Sequence, residues 1–288
     1  MGPIAILRER GLSPKKGFGQ NFLLDPNLCR RIAEGATTPE GGTVLEIGPG
    51  LGALTRAILE RASRVVAVDR DRDMIAFLEE DLAGPIESGK LTLLTADGLA
   101  IDWPALFADG PRPHVVAGNL PYLVTGRFLE LATVHAAKID RALFMVQLEV
   151  AERMLAAPST KAYGALTVFV RAQFDVTRLL IARAGAFHPR PEVDSAVVVL
   201  SPRALRVPET DTFRALVRGA FGMRRKTLRN AWKGVLDLPP EAFDAAAQTC
   251  NIDLGRRGET LSVAEFAAMS DRVTLVMAEQ DGQAEKKP

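Results

Sequence analysis

Short apolar runs alternate with stretches of helical periodicity through the first half of the chain. The runs predict five strands, at Val44–Ile47, Val65–Val68, Leu91–Thr95, Val115–Gly118 and Ala142–Leu148. The stretches between them predict helices, at Gly52–Arg61, Asp73–Leu82 and Phe128–Val134, and an earlier helix begins at Pro26 with Asp25 as its N-cap. This alternation is typical of right-handed βαβ units, so we predict an α/β fold with a mainly parallel sheet.

The pattern changes in the second half of the chain. A helical stretch runs to about Ala157, and Phe174–Ile181 and Val193–Leu200 then predict a late pair of strands. Beyond Ser201-Pro202 only helical periodicity remains. We therefore predict a first domain over residues 1–202 and a helical second domain over residues 203–288, which ends in a disordered tail from Gln283. The basic opening, to about Leu24, is expected to be irregular.

Composition narrows the class of protein. The chain has 288 residues, of which 47% are hydrophobic and 25% charged, and its net charge is +1. Its two cysteines lie far apart without metal-ligand spacing, which favours a reduced chain and no metal centre. No apolar run approaches the roughly 18 residues that span a bilayer. We therefore expect a cytoplasmic protein with no membrane partner.

A glycine-rich loop follows the first predicted strand. Gly48 and Gly50 would let the backbone approach a ligand at the start of the next helix, and Asp69 ends the second strand at the distance expected for a ribose contact. With Ala53, these glycines also satisfy the dinucleotide pattern G-x-G-x-x-A. The loop thus indicates a nucleotide cofactor without saying which one.

The fourth strand ends in the tetrapeptide Asn119-Leu120-Pro121-Tyr122. Its residue types suit methyl transfer to an exocyclic amine such as adenine N6. The side-chain carbonyl of Asn119 and the backbone carbonyl of Leu120 would accept the two N–H groups, Pro121 would stiffen the turn, and Tyr122 would stack on the base. An ordinary strand-end turn is the alternative.

Two further acidic residues favour S-adenosylmethionine over NAD. Glu46, just before the glycines, would repel a pyrophosphate but could order the site for an amino-acid ammonium. Asp97 closes the third strand, where it could bind the adenine amino group of a methyl donor. Together with Asn119–Tyr122, these residues predict an S-adenosylmethionine-dependent methyltransferase.

Several motifs in sequence order resemble one family. They are Gly19-Gln20-Asn21-Phe22-Leu23, Glu46-Ile47-Gly48-Pro49-Gly50, Asn119-Leu120-Pro121-Tyr122, Lys161-Ala162-Tyr163-Gly164, the run Phe187-His188-Pro189-Arg190-Pro191-Glu192-Val193-Asp194-Ser195-Ala196-Val197, Arg224-Arg225-Lys226-Thr227-Leu228-Arg229 and Arg256-Arg257-Gly258-Glu259. The set resembles the ribosomal small-subunit RNA adenine N6,N6-dimethyltransferases, over nearly the whole chain.

The resemblance implies a class I (Rossmann-like) methyltransferase fold, with a seven-stranded sheet whose last strand is reversed and a small all-helical C-terminal domain. It implies dimethylation of N6 of two adjacent adenosines near the 3′ end of small-subunit ribosomal RNA, linked to maturation of that subunit. Donor contacts would come from Gln20, Asn21, Leu23, Gly48, Asp69, Asp97 and Asn119, and Tyr122 and Phe187 would sandwich the target adenine. Arg70 stands where an apolar residue is expected.

The RNA partner directs attention to basic residues of the second domain. Between Arg214 and Lys233 the chain has seven basic residues and no acidic one. On one continuous helix, Arg214, Arg218, Arg225 and Arg229 would form a stripe that follows RNA phosphates, although Gly219 and Gly222 are expected to interrupt it. The predicted RNA-binding residues are Arg214, Arg218, Arg224, Arg225, Lys226 and Arg229, on a protein that we expect to be a monomer.

Three rival functions remain. A large-subunit RNA dimethyltransferase of the macrolide-resistance type shares the fold and the tetrapeptide. The arginine-rich segment and Arg256-Arg257-Gly258-Glu259 favour the small-subunit enzyme, and an RNA-substrate assay would separate the two. A ribosome-assembly or transcription factor could keep the fold for binding alone, but the three acidic strand ends and the intact tetrapeptide argue against that. An NAD oxidoreductase is the third.

Overall fold

The protein divides into two compact units. A computed structural model describes residues 3–223, 225–236 and 238–284. The first unit holds the residues up to Glu152 together with Phe174–Arg203, and the second holds Arg153–Gln173 and the residues from Ala204 onward. Residues 153–173 precede the boundary that the sequence predicts at residue 202. They belong to the second unit because Tyr163, Val168 and Ala172 enter its apolar core.

The first unit is built on a seven-stranded sheet. The chain order of the strands is β1 (Phe22–Leu23), β2 (Thr43–Ile47), β3 (Arg64–Asp69), β4 (Leu91–Thr95), β5 (His114–Asn119), β6 (Arg141–Gln147), β7 (Phe174–Ala182), β8 (Phe187–His188) and β9 (Ser195–Pro202). The sheet order is β4-β3-β2-β5-β6-β9-β7, and β9 runs in the direction opposite to the other six strands. All seven predicted strands are present, and the prediction of a parallel sheet with one reversed strand is confirmed.

Helices follow the strands as the βαβ pattern requires. Those that begin in the first unit are α1 (Pro3–Glu9), α2 (Pro26–Ala36), α3 (Ala53–Leu59), α4 (Arg72–Asp81), α5 (Ala83–Glu87), α6 (Trp103–Leu106), α7 (Thr125–Val134) and α8 (Leu148–Leu155). The predicted cap of α2 is confirmed, because the Asp25 carboxylate accepts hydrogen bonds from the backbone N–H groups of Asn27 and Leu28. Within the described residues, no helix combines the length and the apolar character that a membrane crossing needs.

The opening of the chain is more regular than the sequence predicts. Pro3–Glu9 is helical, Lys16–Phe18 forms a 3₁₀ turn, and β1 pairs antiparallel with β8, with Phe22 opposite His188. The expectation of an irregular segment to Leu24 is wrong because Ile6 and Leu7 are buried in the apolar core of the first unit. A helix of seven residues with two apolar anchors gives too short a pattern to be recognised.

The second unit is helical, as predicted. After α8 it contains α9 (Ala165–Gln173), α10 (Asp211–Gly222), α11 (Leu228–Ala231), α12 (Pro240–Thr249) and α13 (Val263–Ala284). Gly219 does not interrupt α10, which ends only at Gly222. Because α13 reaches Ala284, residues 283 and 284 are helical rather than part of a disordered tail, and residues 285–288 of that predicted tail lie outside the described residues.

Candidate active site

The site lies where the strand order of the sheet reverses. Strands β2 and β5 are parallel neighbours in the sheet. After β2 the chain continues to β3 on one side of this pair, and after β5 it continues to β6 on the other side. In open α/β sheets such a switch point leaves a crevice beyond the carboxyl ends of the strands, and ligands bind there. The glycine loop after β2, Asp69 at the end of β3 and Asn119 at the end of β5 all reach this crevice.

Two adjoining cavities occupy the crevice. The larger has a volume of about 130 Å³ and the smaller about 40 Å³, and both are lined by Asn21, Gly48 and Asn119. Every residue predicted to bind the cofactor lines one or both of them: Gln20, Asn21, Leu23, Glu46, Gly48, Gly50, Asp69, Asp97 and Asn119. Residues separated by up to about a hundred positions in the sequence are thus brought to one place, although their contacts with a cofactor stay a prediction.

Gly50 shows why the loop after β2 needs glycine. Its φ of +53° lies in the left-handed region that other residues rarely adopt, and an added Cβ would come within 3.0 Å of the Phe22 ring. Its backbone N–H donates to Asp69 Oδ2 at 3.3 Å, so the loop is tied to the end of β3. Gly50 lines both cavities, so at this position a ligand would meet backbone rather than a side chain.

Glu46 is buried without a full set of partners. Only 1% of its surface is exposed, and among the residues that the structure describes neither Glu46 Oε2 nor Thr55 Oγ1 has a hydrogen-bond partner. The pKa of Glu46 is raised to about 7, mainly by burial; the nearby Thr55 hydroxyl opposes this rise, and the charge of Asp69 contributes to it. Because Glu46 lines the smaller cavity, its carboxylate is suited to a cationic ligand group placed there.

Asp69 and Asp97 present carboxylates to the larger cavity from the ends of β3 and β4. Asp69 Oδ1 accepts the backbone N–H of Asp71 at 2.9 Å, and these backbone bonds partly offset the burial that raises the pKa of Asp69. Asp97 Oδ1 accepts the backbone N–H of Leu99 at 2.9 Å. Each carboxylate is therefore fixed by its own turn, which leaves acceptor capacity for ligand hydroxyl or amino groups.

Asn119 is held in one orientation. Its Nδ2 donates to the backbone carbonyl of Asn21 at 2.8 Å, so the amide cannot turn over without losing this bond. Asn119 and Leu120, with Pro121 and Tyr122, line the larger cavity. Because the amide nitrogen is committed, Oδ1 is the atom that Asn119 can offer as an acceptor.

The tyrosine of the tetrapeptide is oriented by a residue that the sequence analysis gave no role. The hydroxyl groups of Tyr122 and Ser195 are 2.7 Å apart, and Ser195 is buried at the start of β9. Burial raises the pKa of Tyr122, and the bond to Ser195 opposes that rise. Tyr122 therefore stays neutral, and its ring is held in one orientation by the bond to Ser195. Ser195 belongs to the motif after Phe187, which was the available signal.

Phe187 is paired with a residue of the site, Leu23, but does not itself line either cavity. It pairs with Leu23 in the ladder of β1 and β8, and only 3% of its surface is exposed. The residues that line the larger cavity do not include it. Its place against a target adenine stays a prediction.

Long-range contacts beside the site were missed in the sequence. Lys15 Nζ lies 2.6 Å from both Asp71 Oδ1 and Asp73 Oδ2, and Gln20 Nε2 donates to Asp71 Oδ2 at 2.8 Å. Burial would raise the pKa of Asp71, but the bonds from Lys15 and Gln20 outweigh it and hold that pKa below its ordinary value. Arg127, on the first turn of α7, also lines the larger cavity.

The second unit contains a basic cavity of its own, with a volume of about 600 Å³. Among the described residues, its lining has one acidic side chain, Glu259, and five basic ones: Arg153, Lys161, Arg225, Lys226 and Arg257. The motif at Lys161–Gly164 helps to form it, and Tyr163 anchors that motif by donating its hydroxyl to the carbonyl of Leu261 at 2.8 Å.

The other predicted RNA-binding residues do not form one helical stripe. Helix α10 ends at Gly222 and α11 begins only at Leu228, with Arg225 in a left-handed conformation at φ +71° between them. Arg214 pairs with Glu209 at 2.6 Å and Arg229 with Asp244 at 2.7 Å, whereas Arg218 is exposed. Arg224 lies outside the described residues. The condition for a single stripe, one continuous helix, is therefore not met, and of the two expected interruptions the one at Gly222 is present.

Comparison with known proteins identifies the family. The model of the family described as "Ribosomal RNA adenine dimethylase" matches residues 11–275. The chain belongs to the ribosomal RNA adenine dimethylase family. Its relatives include the "Ribosomal RNA small subunit methyltransferase A" of Moorella thermoacetica, 42% identical, with 93% of this chain and 95% of the relative covered. The protein of the same name from Geobacter metallireducens is 41% identical, with 92% and 97% covered.

Solved structures agree with this membership. A dimethyladenosine transferase from Plasmodium falciparum has a TM-score of 0.77 at 24% identity, over 88% of this chain and 98% of that one, which supports the fold. The 23S rRNA methyltransferase ErmE has a TM-score of 0.64 at 26% identity, over 88% and 100%. The predicted class of fold, a Rossmann-like methyltransferase domain with a helical C-terminal region, is confirmed.

Proposed function

We propose that the protein uses S-adenosylmethionine to dimethylate N6 of two adjacent adenosines near the 3′ end of small-subunit ribosomal RNA, during maturation of that subunit in the cytoplasm. Support comes from the names of relatives at about 42% identity that span nearly the whole chain. The observation that carries the chemistry is the fixed amide of Asn119 at the carboxyl end of β5, beside three acidic strand ends.

The residues of the crevice fit the proposed donor. The unpartnered Oε2 of Glu46 suits the ammonium group, Asp69 the ribose hydroxyls and Asp97 the adenine amino group. Gly48 and Gly50 leave room for the donor between them, because neither has a side chain. When bound, S-adenosylmethionine supplies a methyl group that its positive sulfur already activates.

The tetrapeptide then has the task of making adenine N6 nucleophilic. Asn119 Oδ1 and the carbonyl of Leu120 accept the two N–H groups, which favours a pyramidal nitrogen whose lone pair is no longer delocalised into the ring. No strong base is needed for this. Because Asn119 is neutral, it also tolerates the dimethylated product, which has lost both N–H donors.

The base must leave its stack to reach this turn. Extrusion costs a few kcal/mol, and stacking on an aromatic ring returns about 1–3 kcal/mol per base. Tyr122, whose ring is oriented through Ser195, is placed to supply one stacking face, and we assign the other to Phe187. One turn can serve both methylations, since rotation of the once-methylated amine presents its lone pair to a second donor molecule.

The basic cavity of the second unit is proposed to bind RNA phosphates. Arg225, Lys226, Lys161 and Arg257 line it, and Arg218, Arg214, Arg224 and Arg229 are proposed to extend the surface. A protein that neutralises phosphates in this way binds RNA with a steep dependence on salt concentration. We propose that one copy of the chain acts on one RNA.

The central test uses purified protein, a tritiated methyl donor and unmethylated ribosomal subunits. We expect label in small-subunit RNA, with mass spectrometry locating two dimethylated adenosines near its 3′ end. Label in large-subunit RNA would instead favour the rival enzyme type. If titration calorimetry detects no binding of the donor, the protein is a binding factor and the proposal fails.

One variant tests the role of the tetrapeptide. Asn119→Ala removes an acceptor that acts on the reacting amine, so we expect methyl transfer to fall by at least about a hundredfold. Asn27→Ala, the same change at the start of α2 and outside both cavities, is the matched control and should keep full activity. Circular dichroism checks that both variants are folded. Near-normal turnover of folded Asn119→Ala would remove the mechanism.

A further inference from the structure

Arg70 is the residue of the donor site that departs from the expected pattern. It follows Asp69 directly at the end of β3 and lines the larger cavity. Its guanidinium carbon lies 4.1 Å from the centre of the Phe18 ring, and its Nη2 donates to the carbonyl of Gly17 at 3.1 Å. Phe18 lines the same cavity, so the stacked pair forms one continuous piece of its wall.

The stacked pair also connects two parts of the chain. We call residues 15–23 the N-terminal strap. At one end of the strap, Phe22–Leu23 is held by backbone pairing with β8. At the other end, the contacts are made by side chains: Lys15 and Gln20 bind the loop that follows β3, and Arg70 from that loop binds Gly17 and Phe18. Arg70 thus lines the larger cavity and also holds the N-terminal strap in place.

We propose that Arg70, stacked on Phe18, binds the adenosine part of the methyl donor and fastens the N-terminal strap over it. The inference rests on the proposed function for the identity of the donor. A guanidinium group is planar and stacks on aromatic faces, so the pair offers a purine a flat, polarised surface. An apolar residue at position 70 would offer dispersion contact alone and could not hold Gly17.

The inference makes a prediction about fragments of the donor. The demethylated product, S-adenosylhomocysteine, and methylthioadenosine share the purine with the donor, whereas methionine lacks it. Removal of Arg70 should therefore weaken the first two ligands by the same factor and leave the affinity for methionine unchanged. A loss through general damage to the site would weaken all three.

The variants are Arg70→Leu, Arg70→Lys and Phe18→Leu in the full-length chain, with titration calorimetry as the assay. We expect Arg70→Leu to weaken the donor and its product by about tenfold, from one lost cation–π contact and one lost hydrogen bond. Arg70→Lys keeps the charge but not the plane, so it should not restore affinity. Arg72→Leu removes the same charge two residues away, from a side chain that does not line the cavity, and is the matched control.

A double variant tests whether the two residues act together. If Arg70 and Phe18 form one wall, Phe18→Leu combined with Arg70→Leu should cost little more than either single change. Amide hydrogen exchange in the strap should be faster in Arg70→Leu than in Arg72→Leu, both in the presence of the product. Equal affinities of Arg70→Leu and the unchanged protein would overturn this inference alone, whereas no donor binding by the unchanged protein would overturn the proposed function.

Discussion

Glu46 offers the sharpest test of the donor site, because it is a buried acid with an unpartnered oxygen. Its pKa rises from an ordinary 4.5 to about 7, mainly through burial, while Thr55 and Arg56 lower it and Asp69 raises it. Between these two values the folded protein keeps Glu46 protonated and the unfolded chain does not. Unfolding then releases a proton, so Glu46 makes the protein less stable as the pH rises from 4.5 to about 7.

The size of this effect follows from the two pKa values. Each tenfold change in proton affinity corresponds to about 1.4 kcal/mol, so ionised Glu46 costs the folded protein about 3 kcal/mol above pH 7. Glu46→Gln removes a charge without changing the shape of the side chain. We expect its free energy of unfolding to exceed that of the unchanged protein by up to about 3 kcal/mol at about pH 8, and by much less at about pH 4.5.

The affinity for the methyl donor should change with pH in the opposite direction to stability, and rise as the pH rises. If ionised Glu46 binds the ammonium of the donor, affinity should fall about fifteenfold from pH 7 to about pH 5.5, where few Glu46 side chains are ionised. The α-amino group of the donor stays protonated through this window, because its pKa is about 8. Asp69 also faces the site with a raised pKa, so Glu46→Gln is the variant that isolates Glu46.

The assays are urea unfolding and titration calorimetry of both proteins across this pH range. Near pH 6 the unchanged protein should release about one proton on binding the donor, measured in buffers of different ionisation enthalpy, and Glu46→Gln should release none. Parallel stability curves for the two proteins would refute the buried-acid argument. Equal pH dependence of their donor affinities would refute the contact with the ammonium.

Two shorter predictions concern the RNA side of the reaction. Ser195→Ala frees the Tyr122 ring, so methyl transfer at limiting RNA should fall several-fold while calorimetry finds an unchanged donor affinity; an equal loss of donor affinity would show a wider structural effect. Arg225→Ala with Lys226→Ala should reduce the slope of log affinity for RNA against log salt by about 1.5, whereas Arg229→Ala should reduce it by less because Arg229 is already paired with Asp244. A slope that only Arg229→Ala reduces would contradict this.

The sequence predicts the sheet and its acidic edge well, for a physical reason. Consecutive strands of a parallel sheet end on the same side, so Glu46, Asp69, Asp97 and Asn119 had to converge once the strands were recognised. Their local turns reinforce this, as with the positive φ of Gly50. What a strand and the turn after it decide can be derived from a few neighbouring residues.

The parts that were missed depend on contacts between distant segments. Helix α1 is set by two apolar anchors in the core, and Ser195 meets Tyr122 across 73 positions of sequence. The arginine stripe depended on a continuous helix, which ends at Gly222, and the pairing of Arg214 and Arg229 with acids elsewhere cannot be read from basic spacing. Hydrophobic periodicity describes a single helix or strand and does not show which distant segment that element will contact.

The donor site therefore contains two kinds of residue, which differ in how strictly the ligand restricts the side chain. The carboxylates at the strand ends must present specific oxygens to specific hydrogens, and a substitution there leaves a polar group unsatisfied. The wall made by Arg70 and Phe18 makes a less directional contact, which an apolar side chain could replace in part, through dispersion alone and with weaker binding. A departure such as Arg70 can therefore occur beside Asp69 without disturbing the ribose contact, and the wall is where members of one family can differ in how firmly they hold the same donor.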